Sequence, residues 1–241
     1  GVLDAIERVD SWGVDFVDPR IEEGKAKIAS EEAIVTGVAR ATTEGTLAGR
    51  HVVVTAGATA ESIDPVRVLT NRASGKTGRA VARACHVRGA DVTLVHGGGT
   101  LVHDGGDVHF AESVTVESAS EMRDAVLEHV DADTDALVSA AAISDYTVET
   151  ADEKLRSGEP RTLELRPTPK LIDDVREAHP DLPIVGFKAE TSGDDAAMTG
   201  AARGILDRSA LAFVVANDAS VMGDDETRAL FVDADDVTEF S

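Results

Sequence analysis

The chain of 241 residues has few aromatic residues and a single cysteine. Because aromatic residues make up only 3% of it, a core must consist mainly of valine, alanine, leucine and isoleucine, and the hydrophobic share of 42% is sufficient for one. The lone Cys85 excludes an internal disulfide and is more typical of a buried structural thiol than of a nucleophile. No apolar run could span a bilayer and no signal peptide is recognisable, so we expect a cytoplasmic protein.

Basic residues are scarce as well. The chain has 23 Lys and Arg against 45 Asp and Glu, a net charge of −22, and only six of the basic residues are lysine. The acidic residues are dispersed rather than gathered in a tail, which predicts a salt-adapted protein from an archaeon; an ordinary acidic domain is the alternative. This charge argues against nucleic acids and anionic membranes as partners, because their phosphates would be repelled.

Strands and helices are predicted to alternate over residues 47–241, which is typical of an α/β fold with a doubly wound, mostly parallel Rossmann-like sheet and helices on both faces. The predicted strands cover residues 51–55, 91–96, 107–110, 135–140, 162–165, 183–188, 211–216 and 229–233. The predicted helices cover 75–88, 169–178 and 194–208, with a further one opened by the capping-box pattern at Ser118.

Residues 1–46 differ in pattern from the rest of the chain. They predict two short helices, one near Ala5–Trp12 and one near Glu31–Arg40, and they are too few to fold alone. We therefore divide the chain into a tail with a linker at 1–46 and a main domain at 47–241. The tail is either an arm packed on the main domain or the end of another domain.

The stretch from Val52 to Arg88 predicts a ligand site. A buried strand ends at Gly57, a polar loop follows, and a helix begins near Gly75, where glycines leave backbone N–H groups uncovered at the positive end of the helix. Polar and small residues also follow other strands, at 140–145, 187–191 and 217–218. Because parallel strands bring their carboxyl ends to one edge of a sheet, these segments predict a nucleotide crevice there.

Standard nucleotide motifs are incomplete. The run from Ser74 to Thr77 resembles the end of a P-loop, but Thr70 stands where that motif needs glycine. No G-x-G-x-x-G follows Val54, so the fingerprint of a nicotinamide or flavin enzyme is missing. No cluster has the spacing of a metal site, and four histidines are better explained as surface or strand residues: His51, His96, His103 and His109.

Three side chains near the predicted crevice have both a functional and a structural interpretation. Lys154 lies in a polar loop at 147–160, which we call the lid loop, where it would reach a phosphate or simply be a solvated lysine. Asp145 would bind a base, a ribose or Mg²⁺, or cap a turn. Asn71 lies in an exposed loop, where asparagine is common.

Seven motifs occur in order over about residues 47–233: TAGAT, IDPVR, TNRASGKTG, AAISDY, EKLRSG, VGFKAET and VVAND. Together they resemble the phosphopantothenoylcysteine synthetases (phosphopantothenate–cysteine ligases) of coenzyme A biosynthesis. The segments GVDFVDP and EEGKAKIA resemble the end of the flavin-dependent decarboxylase fused upstream in bifunctional versions. Its flavin-binding core is absent, so we expect neither FMN nor decarboxylation from this chain.

The resemblance implies a CTP-dependent ligase that needs Mg²⁺, uses 4′-phosphopantothenate and L-cysteine, and forms a homodimer. It assigns Asn71 to the acyl intermediate, Lys154 to its formation, and Arg67 with Asn71 to substrate binding. The nucleotide-binding residues that it implies are Gly57, Gly75, Gly78, Ala141, Asp145, Lys154, Pro169, Lys170, Leu171, Ile172, Phe187 and Asn217.

Some positions depart from the family pattern. Ala73 replaces a frequent serine, and Thr168 and Lys170 replace Asn and Asp in an NPDI-like turn. Two lysines that meet the triphosphate in relatives correspond to Ile205 and Ser209; Arg203 or Arg208 could substitute, by hypothesis. The preference for CTP over ATP is therefore open, and the alternatives are a catalytically silent nucleotide-binding module and an NAD(P)-binding oxidoreductase.

Overall fold

The structure, a computed structural model, describes residues 2–98, 108–190, 194–218 and 228–240. His103, Thr191 and the start of the strand predicted at 107 lie outside these ranges. The helices are α1 (Val2–Asp10), α2 (Glu31–Thr42), α3 (Lys76–Val87), α4 (Ala119–His129), α5 (Leu171–Ala178) and α6 (Asp195–Ser209). Within the described ranges, no helix is long and apolar enough to cross a membrane.

The described strands run from the N-terminal arm to the end of the chain. They are β1 (Arg20–Glu22), β2 (Lys25–Lys27), β3 (His51–Ala56), β4 (Ala60–Ser62), β5 (Val68–Thr70), β6 (Asp91–Gly97), β7 (Glu112–Val116), β8 (Thr134–Ser139), β9 (Tyr146–Thr147), β10 (Arg166–Pro167), β11 (Ile184–Glu190), β12 (Phe213–Asp218), β13 (Ala229–Val232) and β14 (Val237–Phe240).

Eight strands form the main sheet in the order β14-β13-β12-β11-β8-β3-β6-β7. The six strands from β12 to β7 pair in parallel, and β13 and β14 extend the sheet antiparallel. The chain builds outward from β3 through β6 and β7, then returns to the other side of β3 for β8. The carboxyl ends of β3 and β8 therefore flank the point where the winding reverses, which is where ligands bind in open α/β sheets.

Successive residues of β3 enter different cores. Val53 belongs to the core under α4, α5 and α6, whereas Val52 and Val54 belong to the core under α3. This alternation follows from the period of two in a strand and produces helices on both faces of the sheet. The prediction of a doubly wound, mostly parallel sheet is confirmed.

Two predicted strands are wrong. The edge strand near 107–110 lies instead at β7, after a loop whose Phe110 is 93% buried in the core under α3. Residues 162–165 are not a strand; only Arg166 and Pro167 pair, with β9, and Leu163 and Leu165 are exposed. In both places an apolar side chain is present without strand pairing. The terminal strand β14 and the hairpins β1–β2 and β4–β5 were not predicted, since strands this short show little periodicity.

The N-terminal arm is attached to the main sheet through α2. The Arg40 guanidinium donates to the backbone carbonyls of His86, Gly89 and Ala90 at the end of α3, at 3.2 Å for Gly89 and 3.1 Å for Ala90. A cation bonded to the last carbonyls of a helix also interacts favourably with its dipole. Burial lowers the pKa of His86, and the nearby Arg40 charge lowers it further.

Candidate functional site

Backbone hydrogen bonds join the ends of β3 and β8 into the floor of a crevice. The Ala142 N–H donates to the Gly57 carbonyl at 2.8 Å, and Ala58 and Ala142 form an isolated parallel bridge. The Ala141 N–H donates to Thr55 Oγ1 at 3.1 Å. These contacts extend the pairing of β3 and β8 beyond the sheet and fix the position of Ala141, a predicted nucleotide-binding residue.

The start of α3 lies directly on this floor because three positions lack a side chain. Gly75 has φ +78°, and a Cβ there would lie 2.9 Å from the Gly57 Cα. A Cβ on Gly78 would lie 2.8 Å from the Thr55 carbonyl oxygen. Gly57 itself has φ +77° and faces the Gly97 backbone at 3.3 Å. Such close approach of a helix start to a strand end is the role of glycines in dinucleotide-binding loops, although their spacing here is different.

The first turn of α3 has uncovered N–H groups. Gly75 occupies the N-cap position and supplies no side-chain cap, and the first turn contains no acidic residue. Within the described ranges, the N–H groups of Thr77 and Gly78 donate to no acceptor. Together with the helix dipole and the exposed Lys76, these groups can bind a phosphate.

Asn71 is brought to the same floor. Its Nδ2 donates to the Ala142 carbonyl at 3.0 Å, and the side chain is exposed. The hairpin β4–β5, which leads into Asn71, is bonded to the floor as well, because the Thr59 N–H donates to the Ala142 carbonyl at 3.3 Å and Thr70 Oγ1 donates to the Thr59 carbonyl at 2.8 Å. The exposed amide therefore stands on a fixed backbone beside the end of β8.

Lys154 is exposed in the lid loop, and within the described ranges its ammonium forms no ion pair or hydrogen bond. The loop backbone rests on the turn after β4: the Ala151 N–H donates to the Ile63 carbonyl at 3.0 Å and the Leu155 N–H to Asp64 Oδ2 at 3.1 Å. The Arg67 guanidinium donates to the Leu155 carbonyl at 2.6 Å. Arg67, a predicted substrate ligand, is thus engaged with the lid loop.

Asp64 was not among the predicted site residues. Its side chain is 99% buried, and burial by itself raises the pKa of the carboxyl. Three backbone N–H bonds and the Arg67 guanidinium outweigh this effect and hold the pKa below its usual value. The only sequence signal for this role is the Asp-Pro pair, which is typical of a turn.

Asp145 and Lys170 form an exposed ion pair at the crevice, with Lys170 Nζ 2.7 Å from Asp145 Oδ1. The Thr168 N–H donates to the Asp145 carbonyl at 3.0 Å, and Pro169 follows in the same turn. The side chains of Leu171 and Ile172 pack in the core under α4, α5 and α6, so only the backbone of these two residues is available to a ligand.

The ends of β11 and β12 supply Phe187 and Asn217. Phe187 is half-buried on the α3 side of the sheet, and Asn217 pairs in register with Ala189. The Asn217 Oδ1 atom is buried and accepts no hydrogen bond from the described residues. A buried acceptor of this kind is costly unless a donor reaches it.

Ile205 and Ser209 lie away from the crevice. Because α6 connects the parallel strands β11 and β12, its C-terminal end lies at the opposite edge of the sheet from the carboxyl ends of the strands. Ile205 packs against the core, and Ser209 Oγ donates to Asp173 Oδ1 at 3.1 Å. Arg203 and Arg208 occupy the same half of α6, so the structure does not bring any of these four side chains to the predicted phosphate site.

No group of three or more His, Cys, Asp or Glu in the described ranges could hold a metal ion. His51 bonds Thr93 and Thr134 at the starts of the strands, and His96 Nε2 lies 3.0 Å from Ser113 Oγ. These are strand-to-strand contacts, as predicted for histidines that are not ligands. Cys85 is half-buried, and burial raises the pKa of its thiol.

The strand order, the glycine contacts and the uncapped helix start define an α/β protein of the Rossmann-like class. Residues 47–241 match the family described as "DNA/pantothenate metabolism flavoprotein C-terminal domain", and the chain belongs to this family.

The matching proteins include bifunctional enzymes. The chain is 43% identical to the coenzyme A biosynthesis bifunctional protein CoaBC of Thermococcus kodakarensis, over 97% of this chain and 57% of that protein. It is 33% identical to CoaBC of Methanocaldococcus jannaschii, over 99% of this chain and 58% of that protein. A crystal structure of the C-terminal domain of CoaBC matches with a TM-score of 0.67 at 30% identity, covering 83% of this chain and 89% of that one. The chain thus spans less than two thirds of these curated relatives.

Proposed function

We propose that this chain joins 4′-phosphopantothenate to L-cysteine, using CTP, to give 4′-phosphopantothenoylcysteine. The observation that carries the proposal is the crevice at the reversal of the sheet, where the uncapped start of α3 and the Asn71 amide meet on one backbone floor. Identity of 43% to a coenzyme A biosynthesis protein supports this reading of the crevice.

The reaction proceeds in two displacements. A carboxylate oxygen of phosphopantothenate attacks the α-phosphorus of CTP, forming an acyl-cytidylate and releasing pyrophosphate. The cysteine amine then attacks the acyl carbonyl, the bond to CMP breaks, the amine loses a proton, and an amide remains. The first step brings anions together in a chain of net charge −22, so fixed positive groups must offset their repulsion.

The chain's own residues provide such groups. The N–H groups of Thr77 and Gly78 at the start of α3 would hold a phosphate group of the nucleotide, and Lys154 would reach the charge that develops as pyrophosphate leaves. Asn71 would hold the acyl intermediate from the end of β5. Asn217 Oδ1 would accept a hydrogen bond from the nucleotide, while Asp145 and Phe187 would recognise its cytidine portion.

Mg²⁺ is proposed as a companion of the nucleotide rather than of a protein cage. The described residues offer no three-ligand cluster, and Mg²⁺ commonly binds through substrate phosphates with one or two carboxylates. Asp145 is an exposed carboxylate at the crevice, but its partner Lys170 occupies one oxygen. The residues present do not define a metal site, and no step is assigned to a metal here.

A product assay tests the ligase. CMP, AMP and pyrophosphate are measured with phosphopantothenate, cysteine and Mg²⁺ in about 1 M KCl, with CTP and ATP in parallel, because salt at this level screens surface charge strongly. CTP-dependent CMP release that falls at least about 100-fold in Lys154→Ala and in Asn71→Ala supports the assignment. Lys25→Ala, an exposed lysine of the N-terminal arm, serves as the matched control and should keep full activity.

The other outcomes separate the alternatives. AMP release instead of CMP keeps the reaction and overturns the nucleotide, which would agree with Ile205 and Ser209 replacing two lysines. No cleavage of either nucleotide by a folded, CTP-binding protein identifies a silent nucleotide-binding module. Binding of NAD(P) without CTP binding would identify an oxidoreductase.

We also infer a homodimer, which the family resemblance implies. Exposed apolar side chains gather on the two small hairpins outside the main sheet: Val66, Val68, Tyr146, Leu163 and Leu165. A second copy would cover them. Sedimentation equilibrium should give twice the mass of the chain, and Leu165→Asp should shift it toward one mass, whereas Ile28→Asp on the arm should not; a monomeric wild type contradicts the proposal.

A further inference from the structure

The turn after β4 contains a buried carboxylate that the proposed reaction does not use directly. Asp64 is 1% exposed, although charged side chains are rarely buried unless they are paired and hydrogen-bonded. Each carboxylate oxygen has its own set of partners. Oδ1 accepts from the N–H groups of Val66 and Arg67 at 2.8 and 2.9 Å, and Oδ2 accepts from the Leu155 N–H at 3.1 Å and lies 3.2 Å from Arg67 Nη1.

The two sets of contacts have different consequences. The Oδ1 contacts are local and shape the turn in which Asp64 lies. The Oδ2 contact crosses 91 positions of sequence to the lid loop. Arg67 completes this second contact, because its Nη2 donates to the Leu155 carbonyl at 2.6 Å. Both backbone polar groups of Leu155 are therefore held, and Leu155 directly follows Lys154.

We propose that Asp64 is a positioning residue that, with Arg67, holds the lid loop at Leu155 and so sets where Lys154 is presented. We call this pair of contacts the Asp64 clip. The clip also links the two predicted catalytic residues, since the same hairpin continues through β5 into Asn71. Its catalytic part rests on the proposed ligase function, whereas its structural part does not.

Asp64→Asn is designed to open the clip and leave the turn intact. The Asn Oδ1 can keep both local bonds, so the amide nitrogen takes the place of Oδ2. That nitrogen is a donor and faces the Leu155 N–H and the Arg67 guanidinium, which are also donors. The lid loop thus loses its anchor, while the hairpin keeps its own bonds.

Glu61→Gln is the matched control. Glu61 is a second buried carboxylate of the same hairpin, and its Oε1 accepts from the Ala119 N–H at 2.8 Å, at the start of α4. It has no contact with the lid loop. General weakening of the hairpin should therefore follow either substitution, whereas opening of the clip should follow only Asp64→Asn.

Trypsin cleavage after Lys154 and Arg156 measures the clip without any substrate. We expect Asp64→Asn to accelerate cleavage at these sites about tenfold, the factor expected for loss of one hydrogen bond to a charged group. Glu61→Gln should change this rate by less than about twofold. If the variant fails to fold, deuterium exchange of the wild type decides: the Leu155 amide should exchange at least about tenfold more slowly than those of Ser157 and Gly158.

A double-mutant cycle then tests positioning against simple loss of structure. Asp64→Asn should lower kcat for CMP release by about 10- to 100-fold with less change in the KM for CTP, because a displacement of about 1 Å can cost about 100-fold. In a Lys154→Ala background the same substitution should cost less than about twofold, since its effect acts through the lysine.

Three results would overturn the proposal: unchanged cleavage in Asp64→Asn, equal effects of Asp64→Asn and Glu61→Gln, or full additivity with Lys154→Ala. Absence of CMP release by the wild type would overturn the ligase and the catalytic role of the clip together. In that case the trypsin and deuterium-exchange results would still decide whether the clip holds the lid loop.

Discussion

Single glycines determine how closely α3 approaches the end of β3, and one of them can be tested sterically. Gly78 lies in the first turn of the helix, where a Cβ would be 2.7 Å from the Ala56 Cβ and 2.8 Å from the Thr55 carbonyl. Gly78→Ala should lower the free energy of unfolding by about 1–3 kcal/mol, despite the better helix propensity of alanine. Urea unfolding measures the change.

Gly204→Ala is the matched control for that substitution. Gly204 is in the interior of α6, and a Cβ there would have no atom within 4 Å. Alanine should stabilise the protein at this position by about 1 kcal/mol. Equal effects of the two substitutions, in either direction, would show that close packing at Gly78 does not control the approach of α3 to β3.

Asp64 predicts an acid-dependent part of the stability. The folded state holds its pKa below the usual value near 3.9, so its contribution to stability is complete above about pH 4 and is lost as pH falls through the folded pKa. The gap in urea midpoint between the wild type and Asp64→Asn should therefore narrow below about pH 4. Asp152→Asn, an exposed carboxylate of the lid loop, should show no such gap, and a gap that widens with acid would contradict the assignment.

At the scale of elements, α2 connects the N-terminal arm to the domain. The arm before it is largely exposed, whereas α2 buries Ala33 and Thr36 and places Arg40 on the end of α3. Deleting residues 1–28 should change Tm by less than about 2 °C, whereas deleting 1–46 should lower it by about 5 °C, since a chain of this size loses about 2–4 °C per kcal/mol.

Arg40→Ala separates the guanidinium from the rest of α2. It should reproduce about half of the loss caused by deletion of 1–46, because three backbone carbonyls lose a charged donor. Differential scanning calorimetry gives all three values. If both deletions leave Tm unchanged, α2 is not part of the folded domain, and the predicted boundary at residue 46 gains support.

Much of the architecture follows from local signals in the sequence. The apolar run at Val52–Val54 and the glycines before α3 place the central strand, its helix and the crevice between them. The edge strand was misplaced because Phe110 supplies an apolar residue that packs from a loop. The role of Asp64 could not be read from the sequence, because its bond to Leu155 joins positions that no local pattern relates.

At the scale of the whole molecule, the charge of −22 predicts salt dependence. Repulsion among dispersed carboxylates opposes the compact state, and raising KCl from about 0.1 M to about 2 M shortens the Debye length from about 10 Å to about 2–3 Å. The urea midpoint should therefore increase steadily with KCl. NaCl should act equally if screening is the cause, and a midpoint that does not depend on salt would contradict salt adaptation.

The position of β3 in the sheet also constrains the order in which the protein is made. His51 of β3 pairs with Thr134, which follows 83 residues later, so a growing chain completes β3 long before β8 exists. Until then one apolar edge of β3 has no neighbour, and such edges are prone to pair with other chains. Ribosomes that stall before β8 should release nascent chains that depend on chaperones, whereas those that stall after β12 should release chains with a complete parallel sheet.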